Sequence, residues 1–286
     1  MTDSQTKAAV LIQALPYLQR FRGKIFLIKI GGSVMEDPAL VSDFMRDILF
    51  LELAGIHPVL VHGGGKAISA AMANSGLEPE WVEGFRVTCE KSISLVEQTL
   101  THTLSPHLVE LLNNHGGRAT AIPGTQVFQA SRMKPAGKDI GFVGQVESCL
   151  TEKIIDATSS SIVPVVSPLG QEIGTEASLN INADLAAAAL AKSLQPVKLV
   201  YLSDVPGLMH DPKKPETLIP SLNEKEASSY LEDGTITGGM IPKVTSALDA
   251  LRSGTQKVHF IDGRLPHSLL LEIFTNTGIG TEIILS

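Results

Sequence analysis

The sequence predicts an α/β fold, a three-layer αβα sandwich around a mainly parallel central sheet. Three observations support this prediction: short β-branched runs alternate with helical patterns, the early runs end in glycine clusters, and similar runs recur towards the C-terminus. The chain has 286 residues, of which 43% are hydrophobic, so it is long enough to form a large core. Its formal net charge of −7 argues against a protein that binds the nucleic-acid backbone.

The first expected element is an amphipathic helix that ends near Phe21. Apolar residues recur at helical spacing from Ala8 onwards, and Pro16 predicts a kink. The apolar face of this helix has to dock either on its own domain or on a neighbouring subunit. The pattern alone leaves both alternatives open.

The next hundred residues read as alternating strands and helices. Strands are expected over 24–30 and 57–61, and helices over 38–54, 66–74 and 92–114. Short strands and turns over 118–151 indicate an inserted β-hairpin region of the kind that forms a lid or a substrate wall. Further strands are expected over 162–166, 198–202, 257–261 and 280–285, and further helices over 183–194, 224–231, 241–253 and 267–274.

Cysteine content and hydropathy narrow the class of protein further. Cys89 and Cys149 are too few for a disulfide framework or a cysteine-rich zinc site. The longest apolar stretches fall well short of the ~20 residues that a membrane helix needs. A reduced, cytoplasmic setting is the expectation that follows.

Two glycine clusters follow the first two predicted strands. They are Lys29-Ile-Gly31-Gly32-Ser33 and His62-Gly63-Gly64-Gly65-Lys66. Glycine lets the backbone approach an anion closely, and successive N–H groups at a helix N-terminus favour negative charge. One such cluster would indicate only a turn, but two at adjacent strand ends favour phosphate binding. The P-loop and dinucleotide-binding spacings are both absent.

Three polar clusters come later in the chain. Asn180-Ile-Asn-Ala-Asp184 precedes an alanine-rich helix, where Asp184 is either an N-cap or a functional carboxylate. The segment 201–208 ends a strand in a polar turn. A glycine loop over 235–243 carries Lys243 in the first turn of a helix, where the helix dipole disfavours a cation unless an anion is nearby.

Taken in order, these motifs resemble the amino acid kinase family. The resemblance rests on Lys29-x-Gly-Gly, His62-Gly-Gly-Gly, Gly84-Phe-Arg-Val-Thr, Asn180-x-Asn-x-Asp, Ser203-Asp-Val-x-Gly and Gly238-Gly-Met-x-x-Lys. Within the family, the chain is most similar to the branch that phosphorylates the side-chain carboxylate of N-acetyl-L-glutamate with ATP in arginine biosynthesis. The resemblance implies an acyl phosphate product, with Mg²⁺ held by the phosphates and water rather than by protein ligands.

The resemblance also implies site residues. The implied catalytic residues are Lys29, Lys243 and Asp184. The implied substrate-binding residues are Gly32, Gly64, Gly65, Arg86, Asn180 and Asn182, with Arg86 on the substrate α-carboxylate. The implied nucleotide-binding residues are Asp204, Val205, Gly207, Leu208, Met209, Thr235, Ile236, Thr237 and Met240.

The C-terminal segment resembles the arginine-inhibited subgroup of this branch. His259, Glu272 and Gly278 are implied to bind arginine as a feedback inhibitor. In that subgroup an N-terminal helix joins three dimers into a homohexamer, which favours the intersubunit role for this chain's helix. The expected divisions are an oligomerisation helix over 1–22, a substrate lobe over 23–195 and a nucleotide lobe over 196–286.

Two alternatives compete with this reading. One is a related carboxylate kinase acting on an N-acylated aminoadipate. The other is a non-catalytic arginine sensor that uses the fold only for binding. Retention of Lys29, Asp184 and Lys243 argues against a sensor, because a sensor has no need for a pair of phosphate-binding lysines.

Overall fold

A computed structural model describes residues 3–32, 34–275 and 277–285 of the chain. Ser33 of the first glycine cluster and the first two residues of the expected 1–22 helix lie outside these residues. The helices are α1 Asp3–Phe21, α2 Pro38–Leu53, α3 Gly65–Asn74, α4 Glu90–Thr99, α5 Ser105–Asn114, α6 Glu152–Ser159, α7 Ala183–Leu194, α8 Glu224–Glu232, α9 Met240–Arg252 and α10 Ser268–Ile273.

The strands lie between these helices, and their bounds are β1 Ile25–Ile30, β2 His57–His62, β3 Trp81–Val82, β4 Phe85–Arg86, β5 Ala119–Ile122, β6 Phe128–Arg132, β7 Gly144–Cys149, β8 Val163–Val166, β9 Leu169–Glu172, β10 Ser178–Asn180, β11 Lys198–Ser203, β12 Ser221–Asn223, β13 Lys257–Asp262 and β14 Thr281–Ile284.

Eight strands form the central sheet, in the order β12-β14-β13-β11-β1-β2-β8-β5. Neighbouring strands are parallel except for β13 and β14, which are antiparallel. β1 and β11 are neighbours, so the N-terminal and C-terminal halves of the chain share one sheet. The predicted fold class, a mainly parallel sheet flanked by helices, is confirmed.

Alternate residues of β1 face the two helical layers. Leu27 belongs to a core cluster with residues of α7, α8 and α9, whereas Phe26 and Ile28 belong to a second cluster with residues of α2 and α5. Because strand side chains alternate in direction, Lys29 lies on the α7 and α9 side. This places a lysine in the otherwise apolar interface between the sheet and two helices.

The expected inserted β-hairpin region is only partly correct. Strands β6 and β7 form a smaller sheet with β9 and β10, in the order β10-β9-β6-β7. Strand β5, which we assigned to the insert, instead pairs in parallel with β8 at the edge of the central sheet. Its sequence, Ala119-Thr-Ala-Ile122, is too short and too mixed for hydrophobicity to distinguish an edge strand from a hairpin strand.

The expected uninterrupted helix over 92–114 contains a π-helical segment. α4 and α5 are joined by five residues, Leu100–Leu104, in π conformation. Such segments occur frequently at functional sites. In this chain, Leu100 and Leu104 of the segment lie against Gly64 of the second glycine cluster.

The N-terminal helix α1 is present as predicted and includes Pro16. Its C-terminal end docks on its own chain, where Tyr17 and Phe21 contact the aromatic rings of Phe274 and Phe26. An apolar stretch nearer the N-terminus remains exposed, formed by Val10, Leu11, Ile12 and Leu15. Among the residues described, none of the helices combines the length and hydrophobicity needed to cross a lipid bilayer.

Candidate active site

The two glycine clusters face each other at the carboxyl ends of β1 and β2. A Cβ atom built on Gly32 would lie 3.6 Å from the backbone nitrogen of Gly65 and 3.9 Å from that of Gly64. Helix α3 begins at Gly65, so the positive end of its dipole points into the same space. Backbone N–H groups that meet a helix N-terminus in this way favour the binding of an anion.

Gly64 is also closely packed against two leucine side chains. A Cβ atom at this position would stand 2.4 Å from Cδ2 of Leu100 and 3.0 Å from Cδ1 of Leu104. The π-helical segment therefore presses directly on the loop that presents its N–H groups to the site.

Lys29, Asp184 and Lys243 meet beside the glycine loops. The Lys29 ammonium lies 2.6 Å from Oδ1 of Asp184, and the Lys243 ammonium contacts Oδ2 of the same carboxylate. All three side chains are largely buried. Lys29 comes from β1, Asp184 from the first turn of α7 and Lys243 from the first turn of α9. The sequence-predicted catalytic residues are thus brought together.

The electrostatics of these groups depend on one another. Burial lowers the pKa of Lys29, and the neighbouring Asp184 carboxylate partly opposes that effect. Burial alone would raise the pKa of Asp184, but Lys29 and Lys243 outweigh it and hold that pKa below its usual range. Two amines share one carboxylate here, and this excess of basic groups suits a transferring phosphoryl group.

Asn182, and not Asp184, caps helix α7. Its side-chain oxygen accepts hydrogen bonds from the backbone N–H groups of Asp184, at 2.8 Å, and Leu185, at 3.3 Å. This cap leaves the Asp184 carboxylate available for the two lysines, so the N-cap alternative for Asp184 is wrong. Asn182 also lines the cavity, and its role as a substrate ligand stays a prediction.

Arg86 is a buried cation without a carboxylate partner in the described part of the chain. Its side chain donates to the carbonyl of Gly65 and to the hydroxyl of Ser69, both at 2.7 Å, and to the sulfur of Met72 at 3.5 Å. Only 6% of the residue is exposed, and burial lowers its pKa. A buried guanidinium held by neutral atoms alone favours an anionic ligand.

Asn180 is tied to the Arg86 strand through Thr88. Its amide donates to the Thr88 hydroxyl at 3.1 Å, and that hydroxyl donates to the Arg86 carbonyl at 3.0 Å. The connection links β10 to β4 and sets the distance between the two sides of the predicted substrate site.

One cavity of about 200 Å³ joins these elements. Its walls include every residue predicted to bind substrate, together with Lys29 and Asp184. They also include Gly84 and Phe85, which belong to the family motif that carries Arg86, and Trp81, which our sequence analysis did not assign to the site. The dipeptide Glu83-Gly84 between Trp81-Val82 and Phe85-Arg86 was the available signal for the β3–β4 hairpin.

A second, smaller cavity of about 80 Å³ lies at the N-terminal end of α9. Eight of the nine predicted nucleotide-binding residues line it, and Asp204 is the exception. Pro212, which we did not predict, also lines it. Met240 faces this cavity, and Lys243, one turn later on the same helix, reaches Asp184. Helix α9 therefore connects the two cavities.

No metal-binding cluster is found among the residues described. None of their histidine, cysteine, aspartate and glutamate side chains form a group of three or more that could hold a metal ion.

Comparison with known proteins agrees with this geometry. Residues 24–262 match the model of the amino acid kinase family. The chain belongs to the amino acid kinase family. This amino acid kinase is 58% identical to acetylglutamate kinase from Akkermansia muciniphila over 283 residues, a match that covers 97% of this chain and 95% of the relative.

Solved structures extend the comparison. N-acetylglutamate synthase from Neisseria gonorrhoeae, complexed with coenzyme A and N-acetyl-glutamate, matches 98% of this chain with a TM-score of 0.87 and 28% identity. The same synthase complexed with coenzyme A and L-arginine matches 98% of this chain with a TM-score of 0.82 and 26% identity. This kinase spans only 63% and 65% of those synthase chains.

A further cavity of this kinase, of about 600 Å³, lies between α1, α10 and the strands β11, β13 and β14. His259, Glu272 and Gly278, the residues predicted to bind arginine, all line it. Tyr17, Arg20 and Phe21 of α1 line it as well. The N-terminal helix is therefore part of the wall of this cavity.

A chain of hydrogen bonds crosses the floor of this cavity. Lys198 Nζ lies 2.7 Å from Nε2 of His259, whose Nδ1 lies 2.6 Å from Oε1 of Glu272. Oε2 of Glu272 accepts the backbone N–H groups of Ile279 and Gly280, at 2.7 Å and 3.0 Å.

Burial and hydrogen bonding shift the pKa values of Glu272 and Lys198. Burial would raise the pKa of Glu272, but its hydrogen bonds hold it below the usual range. Burial lowers the pKa of Lys198 to about 8. Our sequence analysis missed Lys198, although a lysine that opens an otherwise apolar strand was the available signal.

Proposed function

We propose that this chain is an acetylglutamate kinase, which transfers the γ-phosphoryl group of ATP to the side-chain carboxylate of N-acetyl-L-glutamate in arginine biosynthesis. The observation that carries the proposal is the pairing, in one cavity, of an uncompensated Arg86 with the Lys29–Asp184–Lys243 cluster. The first favours binding of a carboxylate, and the second favours transfer of a phosphoryl group. Similarity along almost the whole chain to a curated acetylglutamate kinase supports the choice of substrate.

In the proposed mechanism, Arg86 holds the α-carboxylate of the substrate, and the glycine loops receive the side-chain carboxylate and the phosphoryl group. A carboxylate oxygen attacks the γ-phosphorus, and the bond from that phosphorus to the bridging oxygen of ADP breaks. The acceptor is already ionised, so no general base is required. Catalysis then depends on alignment and on neutralising charge.

The two lysines perform that neutralisation from different elements. Lys29 on β1 and Lys243 on α9 present their ammonium groups beside the glycine loops, and Asp184 holds both in place. Asp184 engages both of its oxygens in this way, so it is a poor candidate for a Mg²⁺ ligand. Mg²⁺ would accompany ATP on its phosphates, where it neutralises charge, with water completing its coordination.

Trapping of the acyl phosphate tests this proposal. The purified protein with ATP, Mg²⁺ and N-acetyl-L-glutamate should form a hydroxamate when hydroxylamine is present. N-acetyl-L-aspartate, which is one methylene shorter, and N-acetyl-L-aminoadipate, which is one longer, should give much less product. Failure of all three acceptors would contradict the proposed function, and a clear preference for aminoadipate would overturn the proposed substrate.

We further propose that arginine inhibits this kinase from the 600 Å³ cavity. The cavity offers the ionised Glu272 carboxylate for a guanidinium and the amine of Lys198 for a carboxylate. A synthase of similar fold has been solved in complex with L-arginine, which supports the choice of ligand. Glu272→Gln should weaken arginine inhibition at least tenfold while leaving uninhibited turnover within about twofold, since one buried charged contact is worth roughly 1.5–3 kcal/mol. Equal inhibition of both proteins would contradict this assignment.

We assign the proposed functions to the three expected segments of the chain. Residues 23–195 would form the substrate lobe, 196–286 the nucleotide lobe, and 1–22 the oligomerisation helix of a homohexamer. The exposed apolar side chains of α1 support the last assignment, because they lie outside the contacts that dock this helix on its own chain.

A further inference from the structure

The β3–β4 hairpin places an aromatic ring directly on the Arg86 guanidinium. Trp81 and Arg86 are opposite each other in this antiparallel pair, and the guanidinium carbon lies 4.5 Å from the ring centre. The two turn residues, Glu83 and Gly84, have φ angles of 50° and 80°. Two successive positive φ angles are typical of a type I′ turn, which fixes the register of a hairpin and therefore this stacking.

Trp81 does not belong to the hydrophobic core of the described structure. It is 55% exposed, and it is absent from all three buried apolar clusters. It nevertheless lines the cavity that contains Lys29 and Asp184. Packing of the core therefore does not explain a large aromatic side chain at this position.

The other contacts of Arg86 leave room for an anion. A guanidinium has five N–H donors, and the contacts with Gly65, Ser69 and Met72 use three of them. The negative face of an aromatic ring stabilises a cation that has no carboxylate partner. The ring also restricts the orientation of the guanidinium plane. A free arginine side chain would lose conformational entropy when a ligand fixes that orientation, so the restriction reduces the entropic cost of binding.

We infer that Trp81 is a positioning residue for the substrate. It stacks on Arg86, keeps the guanidinium oriented before the substrate arrives, and thereby raises the affinity for the α-carboxylate. The inference rests on the proposed function, because it takes Arg86 as the group that binds that carboxylate. Trp81 acts through Arg86 and not on the transferring phosphoryl group, so it should affect KM and leave kcat nearly unchanged.

The composition of the chain provides a direct probe, since Trp81 is its only tryptophan. Titration with N-acetyl-L-glutamate in the absence of nucleotide should change the indole emission of the wild-type protein in a saturable way. The same titration with N-acetyl-L-glutamine α-amide, which lacks both carboxylates, should leave the emission unchanged.

Two variants distinguish the effect of the aromatic ring on Arg86 from the effect of apolar side-chain volume at position 81. Trp81→Leu removes the aromatic face but stays apolar, and it should raise the KM for N-acetyl-L-glutamate about 3- to 30-fold with kcat within about twofold, the range expected for loss of a cation–π contact. Trp81→Phe keeps a ring and should stay within about threefold of the wild type. Ile173→Ala is a matched control, because Ile173 is similarly exposed, at 56%, but does not line the cavity.

The dependence on Arg86 is tested in an Arg86→Lys background, with substrate affinity measured by calorimetry. There, Trp81→Leu should weaken binding clearly less than it does beside arginine, because a planar guanidinium stacks on an aromatic ring better than an ammonium does. An unchanged KM for Trp81→Leu in an enzyme whose wild type forms the hydroxamate would overturn the inference. An equal loss of affinity in both backgrounds would also overturn it, by showing that Trp81 contacts substrate directly. Absence of hydroxamate from the wild type would instead count against the proposed function.

Discussion

Replacing Lys243 with alanine removes one of the two ammonium groups on Asp184. The remaining pair, Lys29 and Asp184, stays in contact at 2.6 Å, so no buried charge is left uncompensated. The Lys243 side chain is itself 19% exposed. We therefore expect Lys243→Ala to lower the free energy of unfolding by only about 1 kcal/mol. Asp184→Asn should lower it by roughly 3–5 kcal/mol, because it leaves two ammonium groups without a carboxylate partner.

The effect of Lys243→Ala on catalysis should be much larger. Loss of one preorganised group that stabilises charge in a transition state costs roughly 10²–10³-fold in rate, or about 3–4 kcal/mol. The measurement is kcat from hydroxamate formation at saturating ATP and N-acetyl-L-glutamate, beside urea unfolding of the same preparation. Lys243 is also one of the groups that lower the pKa of Lys29. Any fall in kcat on deprotonation of Lys29 should therefore move to higher pH in the variant.

Lys192→Ala is the matched control for this experiment. Lys192 on α7 contacts Asp249 on α9 at 3.4 Å, so it bridges the same two helices, but both side chains are 45% exposed. Its loss should change the free energy of unfolding by no more than about 1 kcal/mol and leave kcat unchanged. The reasoning is refuted if Lys243→Ala retains kcat within about tenfold of the wild type while remaining folded.

Three other perturbations test separate parts of the structure. Gly64→Ala should lower the free energy of unfolding, measured in urea, by about 1–3 kcal/mol, because its Cβ would meet the Leu100 side chain. Gly65→Ala is the control and should change it very little, because the space around that Cβ is open. Equal losses in the two variants would contradict this packing. Burial lowers the pKa of the His62 imidazole from 6.5 to about 4, so the unfolded chain binds more protons between these values and stability should fall by about 3 kcal/mol as the pH drops through this window. The fall should be smaller in His62→Gln, and an identical pH profile would contradict the assignment. Deletion of residues 1–20 should convert the proposed hexamer into dimers, measured by light scattering, and should weaken the proposed arginine inhibition, since Tyr17 and Arg20 line the 600 Å³ cavity. An unchanged mass would count against an intersubunit role for α1.

The central sheet was predictable because its strands carry strong local signals. β1 and β2 are runs of buried apolar residues that end in glycine clusters, and parallel pairing brings those clusters to one edge. The proximity of Lys29 to Asp184, at the start of α7, does not follow from that edge and was implied by the family resemblance alone. The partner on α9 was expected only through the family resemblance, since no local pattern brings residues 184 and 243 together.

Features set by tertiary contacts were not predictable. The π-helical segment over 100–104 packs against Gly64, some forty residues earlier in the chain, and no local pattern indicates that contact. Asn182 and Asp184 are both good N-cap residues, and only the two lysines decide which one remains free. The β3–β4 hairpin has only two residues in each strand, too few for periodicity to show, so its tryptophan was missed.

A crystal structure of the complex with N-acetyl-L-glutamate, ADP, Mg²⁺ and aluminium fluoride tests the central claim most directly. We predict that the planar fluoride group lies between the Gly32 and Gly64–Gly65 loops, in contact with Lys29 and Lys243, and that Arg86 binds the α-carboxylate. A substrate whose side-chain carboxylate lies on Arg86, or a fluoride group remote from both lysines, would contradict the account.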